Sequence, residues 1–143
     1  MAAAIHIEIG PGELIDRITI LRLKVAHLDG ARRADAAARL AALLEYWHAL
    51  PASPELTALA DELAALNHRL WVIEDALRDC ERRGEFGASF VEHARNVYRT
   101  NDRRAQLKAD IDTALGHLVG DAKVYAVGAP AAGATRRRDP ETG

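Results

Sequence analysis

Arg104 and Lys108 stand one helical turn apart, with Asn101 three positions earlier, in the stretch YRTNDRRAQLK (residues 98–108). Counted in threes and fours, the stripe that carries them reads Phe90, Ala94, Val97, Asn101, Arg104, Lys108, Ile111, Leu115, Leu118. It is apolar at both ends and polar in the middle, where a core-facing helix should stay apolar. The chemistry such a face offers is anion recognition. A guanidinium grips a carboxylate or phosphate with two parallel hydrogen bonds, and an ammonium adds a point charge. The preceding helix offers a matching stripe of Asn67, Trp71, Glu74, Arg78 and Glu81. A hairpin turning at 84–87 sets Asn67 near Arg104, Trp71 near Asn101, and Glu74 near Val97 and Tyr98. Arg17 and Lys24 lie seven apart on the first helix, on the edge of its core stripe.

Two readings of this constellation stay open. In the first, acids pair off the cations inside the bundle and fix its register. Glu74, Asp75, Glu81 and Asp102 are the nearest candidates, and Asp16, Arg17, Arg78 and Arg95 join them in a structural polar network. In the second, Lys24, Arg104 and Lys108 converge as a clamp on a small anionic ligand, with Asn67, Trp71, Tyr98 and Asn101 around it. Glu74 is then the candidate general acid or base, oriented by Tyr98 and Asn101. An open pocket beside Glu74 distinguishes the second reading from the first.

The elements that must position these residues are helices. The first spans about 13–28, with Leu14, Ile18, Leu21, Val25 and Leu28 in register and Ile15, Ile20 and Leu23 on its other faces. The second spans about 34–50, on Ala36, Leu40, Leu43, Trp47 and Leu50. Pro51-Ala52-Ser53-Pro54 interrupts, with Ser53 placed to cap the third helix and Pro54 to begin it. That helix, 54–83, carries Leu56, Leu59, Leu63, Leu66, Leu70, Ile73, Leu77 and Cys80 in an unbroken alternation of threes and fours. A turn at 84–87 leads into a fourth helix over 88–118. Ile5, Ile7 and Ile9 alternate with His6 and Glu8 as a short strand, and 123–127 reads as a second. The expected architecture is mainly α: an antiparallel four-helix bundle over 1–127, with a minor two-stranded ribbon joining the chain ends and a disordered tail over 128–143. The ribbon would set the first helix antiparallel to the fourth. A third helix about 45 Å long against a first of about 24 Å leaves the hairpin tip uncovered. Trp71, Ile73, Leu77, Phe90, Val97 and Tyr98 would lie there, and a homodimer of hairpins is the expected assembly.

Bulk properties remove other classes. The chain has 143 residues and a formal net charge of −2, which gives no basic field for nucleic acid or a membrane surface. A single cysteine and scattered histidines form no metal-ligand or disulfide pattern, so no cofactor or metal is expected. No signal-peptide pattern and no apolar run near 20 residues is present, and the expected setting is a soluble, cytoplasmic one without membrane insertion. Gly10-Pro11-Gly12 has neither a dinucleotide nor a P-loop spacing and reads as a turn.

Three blocks taken in order, GELIDRITILRLK (12–24), LWVIED (70–75) and YRTNDRRAQLK, resemble an uncharacterised bacterial and viral domain-of-unknown-function family. Its members follow a pattern like GELIDKITIL…LWxIEDDIRxxE…YxTNDxRAxxK. The resemblance covers roughly 5–127 and takes in every candidate above except Arg17 and Lys24. Ala76 stands where a second acid is usual, and Gly87 where Asp is usual. Similar sequences are associated with genes for cell-surface polysaccharide synthesis. The resemblance thus implies a small accessory or binding protein of no assigned activity. The first helix is also similar to that of all-helical chorismate mutases, which hold a dicarboxylate with Arg and Lys in a helical dimer. An enzyme acting on a small anionic substrate is therefore the alternative.

Overall fold

The computed structural model describes residues 3–116, and four helices make up nearly all of that span: α1 (Pro11–His27), α2 (Gly30–Ala49), α3 (Pro54–Arg83) and α4 (Ala88–Ala114). The local signals that end α3 are strong. Ser53 accepts a hydrogen bond from the Leu56 amide at 3.0 Å, and Pro54 follows in the first turn, where its missing N–H is no loss. At the other end Gly84 adopts φ 64°, a left-handed conformation that glycine enters without steric cost. Its amide and that of Glu85 close the last turn onto Glu81 and Cys80 carbonyls. The ends of α1 and α2 lack such side-chain caps. Accordingly α2 begins four residues before the expected 34.

α3 and α4 form a long antiparallel hairpin. α1 lies against both, and α2 packs on α1. Leu63, Leu107 and Ile111 are fully enclosed and join Ile15, Leu56, Leu66 and Leu70 in one core. α2 reaches that core through Trp47, and Ala36 is its single buried residue. Gly12 faces Asp112, while Asp16 faces Arg104, so α1 and α4 run antiparallel. The helical architecture is thus the expected bundle, with α2 at its periphery.

The ribbon is a correction. Among the described residues there is no strand. Residues 3–10 precede α1 without regular secondary structure, and Ile5 and Ile7 are exposed. The expected second strand at 123–127, the last turn of the fourth helix beyond 116 and the expected tail at 128–143 all lie outside the described residues. No helix among the described residues is long and apolar enough to cross a membrane.

Candidate functional site

Asp16 is the focus of the polar interior. Its side chain is 2 % exposed, on the α1 flank next to the core residue Ile15. Arg104 of α4 grips it with a two-pronged fork, Nε to Oδ1 at 2.8 Å and Nη2 to Oδ2 at 2.6 Å. Asn67 of α3 donates one amide hydrogen to Asp16 Oδ1 at 2.9 Å and the other to Thr19 Oγ1 at 2.7 Å. The Thr19 hydroxyl passes its own hydrogen to the Asp16 carbonyl at 2.8 Å. Each residue of this buried set therefore has a hydrogen-bond partner within it, the condition under which burial of polar side chains is tolerated. Three helices meet in it, and each supplies at least one member.

One turn away the same arrangement recurs. Lys108 makes a close ion pair with Glu13, and its ammonium lies 4.0 Å from Asp16 Oδ2. Arg17 reaches Glu13 from the outside at 2.8 Å. Burial pushes the Glu13 carboxyl up, but hydrogen bonds and charge from Lys108 and Arg17 outweigh it and hold the carboxyl below its ordinary range. The Asp16 hydrogen bonds raise the Arg104 pKa above its ordinary value against the opposite pull of burial, and the charges of Asp16, Glu13 and Glu74 add to this. The interior set thus contains two carboxylates, Asp16 and Glu13, facing two cations, Arg104 and Lys108.

A close helix approach fixes this register. A Cβ on Gly12 would lie 2.2 Å from the Lys108 carbonyl oxygen, so only glycine lets α1 begin there. The Gly12 amide, one of the donors every helix start leaves free, is taken by Asp112 Oδ1 of α4 at 2.8 Å.

The other expected site residues sit differently. Lys24 is exposed, well along α1 from the turn that meets Arg104, and does not join it. Asn101 is exposed too, and Thr100 takes the inward position. Trp71 is half-buried, its ring stacked on His27 at 4.9 Å between centroids. Glu74, Asp75, Arg78, Glu81, Arg95 and Asp102 are exposed, and Asp75 and Arg78 meet only loosely at 3.9 Å. Tyr98 is 53 % exposed, and hydrogen bonding from Arg95 lowers its phenol pKa. The acids that partner the cations are therefore Asp16 and Glu13 of α1, not Glu74, Asp75, Glu81 or Asp102. Glu13, Thr19 and Asp112 were absent from the sequence-based set. The signal for Thr19 and Asp112 is a pair of matching stripes: Gly12, Asp16, Thr19 on one helix and Arg104, Lys108, Asp112 on the other.

A helical bundle braced by an internal set of paired charges, with a long hairpin projecting from it, is the class of protein this geometry defines. The chain belongs to a family of unknown function (DUF6165), whose model matches residues 5–135. No curated protein and no solved structure matches it.

Proposed function

We propose that the protein is a small cytoplasmic accessory or binding protein whose internal charge network braces the bundle, and whose working surface is the free end of the α3–α4 hairpin. One observation carries this reading. Arg104 and Lys108, the cations best placed to hold an anion, already face Asp16 and Glu13. A ligand anion would have to displace a 2 % exposed carboxylate that is covalently part of α1.

The hairpin end suits a second copy of the chain. Val72, Phe86, Val91 and Tyr98 are each at least half exposed there. Surface pairs absorb Asp75 with Arg78 and Asp79 with Arg82 and Arg83. Glu74 and Glu81 on α3, and Arg95 and Arg99 on α4, stand outside those pairs and differ in sign. A two-fold arrangement that lays α3 of one copy on α4 of the other brings them together. The association of similar sequences with cell-surface polysaccharide genes suggests where such an accessory protein would serve.

The alternative, an enzyme acting on a small anionic substrate, draws on Glu74. It is exposed, and its charge reaches Arg104. In that reading Lys24, Trp71, Tyr98 and Asn101 close around a ligand beside it.

Light scattering on the eluting protein at micromolar concentration tests the dimer. The expected mass is twice that of the chain, and Tyr98→Asp with Val91→Asp should return it to a monomer with unchanged helix content. A monomeric wild-type protein contradicts the proposal.

A further inference from the structure

Acids of α1 take Arg104 and Lys108, and Glu62 of α3 takes Arg103 at 3.1 Å. Two arginines of α4 are left over. Arg95 and Arg99 stand one turn apart on its exposed side, and Tyr98, 53 % exposed, stands between them. The Arg99 guanidinium carbon lies 6.0 Å from the centre of the Tyr98 ring. Hydrogen bonding from Arg95 and the charges of both arginines lower the Tyr98 phenol pKa, so both positive groups lie close to its oxygen. Among the described residues neither arginine has an ion pair. Glu92 precedes Arg95 by three positions and Asp102 follows Arg99 by three, yet neither acid pairs with them. Like charges one turn apart on a helix repel, and here no carboxylate relieves them.

The three side chains form a donor set for a compact dianion. Each guanidinium offers a fork of N–H donors. The Tyr98 hydroxyl donates to no acceptor among the described residues, so its O–H is free for a ligand. A phosphate monoester carries a charge of about −1.5 to −2 at pH 7 on three acceptor oxygens, enough to neutralise both arginines from one group. A carboxylate would neutralise one. We propose that Arg95, Tyr98 and Arg99 form a recognition site for a phosphoryl group, carried as inorganic phosphate or as a phosphate monoester. The site lies on the surface offered above to Glu74 and Glu81 of a second copy. Its effect on assembly rests on that reading: a bound phosphoryl group cancels the charges those acids would meet and repels the acids, so it opens the dimer.

NMR of the arginine Nε–H groups tests the site, with sodium phosphate or adenosine monophosphate replacing chloride at constant ionic strength. The expected result is a saturable shift at Arg95 and Arg99. Arg95→Gln and Arg99→Gln should each weaken binding at least about tenfold, with helix content unchanged. Tighter binding of the monophosphate than of phosphate supports an ester as the ligand, and equal or weaker binding supports free phosphate. Shifts that never saturate and are matched at Arg39, an exposed arginine of α2, show screening alone and overturn the proposal. Saturable binding that survives both substitutions overturns it too. Light scattering in the same buffers reads the effect on assembly. A dimer that falls to a monomer as the site fills supports it, and a dimer unchanged at saturation overturns it. A chain already monomeric in chloride contradicts the dimer alone, and the titration still decides the site.

Discussion

At the scale of the residue, Asp16 organises what Arg104 and Lys108 announce. Arg104 spends both prongs on a carboxylate that water scarcely reaches, and Asn67 and Thr19 complete its surroundings. Removing one partner of such a pair strands the other. Asp16→Ala should therefore cost about 3–5 kcal/mol in urea denaturation, and Asp16→Ala combined with Arg104→Met should cost clearly less than the two single changes added together. An additive double mutant would show that the pair is not coupled. Glu13 supplies a pH signature. Its carboxyl is held below the ordinary value of 4.5, so its contribution to stability is present above that pH and is lost as the pH falls through the lowered value. Lys108→Met should shrink the acid loss of stability, seen as a shallower fall of melting temperature below about pH 4.5. The cations were legible from the sequence because they break an apolar stripe. Their acids were not, because a stripe tells which residues share a face and not which turn of a neighbouring helix meets it. Lys24 was drawn into the cluster by assuming a register that slides α1 along α4. The observed register, Asp16 on Arg104, leaves it outside.

At the scale of the element, Gly12 sets that register. The Lys108 carbonyl occupies the space of any side chain at this position, and both atoms belong to helix backbones that cannot yield separately. Gly12→Ala should cost about 3 kcal/mol or more, against roughly 1 kcal/mol for Gly84→Ala, where a left-handed turn is strained but the space is open. Chemical denaturation of the two variants side by side checks the order, and equal costs would remove Gly12 from its role. α3 was readable to the residue, since Ser53-Pro54 and Gly84 mark its ends and its leucine seam never breaks. On α4 the seam takes a step of three from Val97 to Thr100, where the sequence equally offers a step of four to Asn101. That single choice put Asn101 inward in the sequence reading. A small buried hydroxyl leaves no apolar signal to guide the choice.

At the scale of the whole molecule, the chain divides into an inner brace and outer faces. The brace joins α1 and α4 by paired charge and ties α3 to them through the Asn67 amide. The faces, the hairpin end and a groove lined by Ile7, hold much of the exposed apolar surface. Helix lengths alone place Trp71, Ile73, Leu77, Phe90, Val97 and Tyr98 in the open, but only Tyr98 is exposed, Trp71, Leu77, Phe90 and Val97 are half-buried, and Ile73 is buried at 8 % exposure. The central claim is that Arg104 belongs to the brace and not to a ligand. Its most direct test is the melting temperature of wild type and Arg104→Ala, each with and without phosphate, sulfate, dicarboxylates, nucleotides and sugar nucleotides. Arg104→Ala should be several kcal/mol less stable, as expected when Asp16 is left buried without its partner, and no anion should raise the wild-type melting temperature through Arg104. A wild-type protein stabilised by one of these anions by about 2.7 kcal/mol at a hundredfold excess over its dissociation constant, with the shift abolished in an Arg104→Ala variant of undiminished stability, would contradict it.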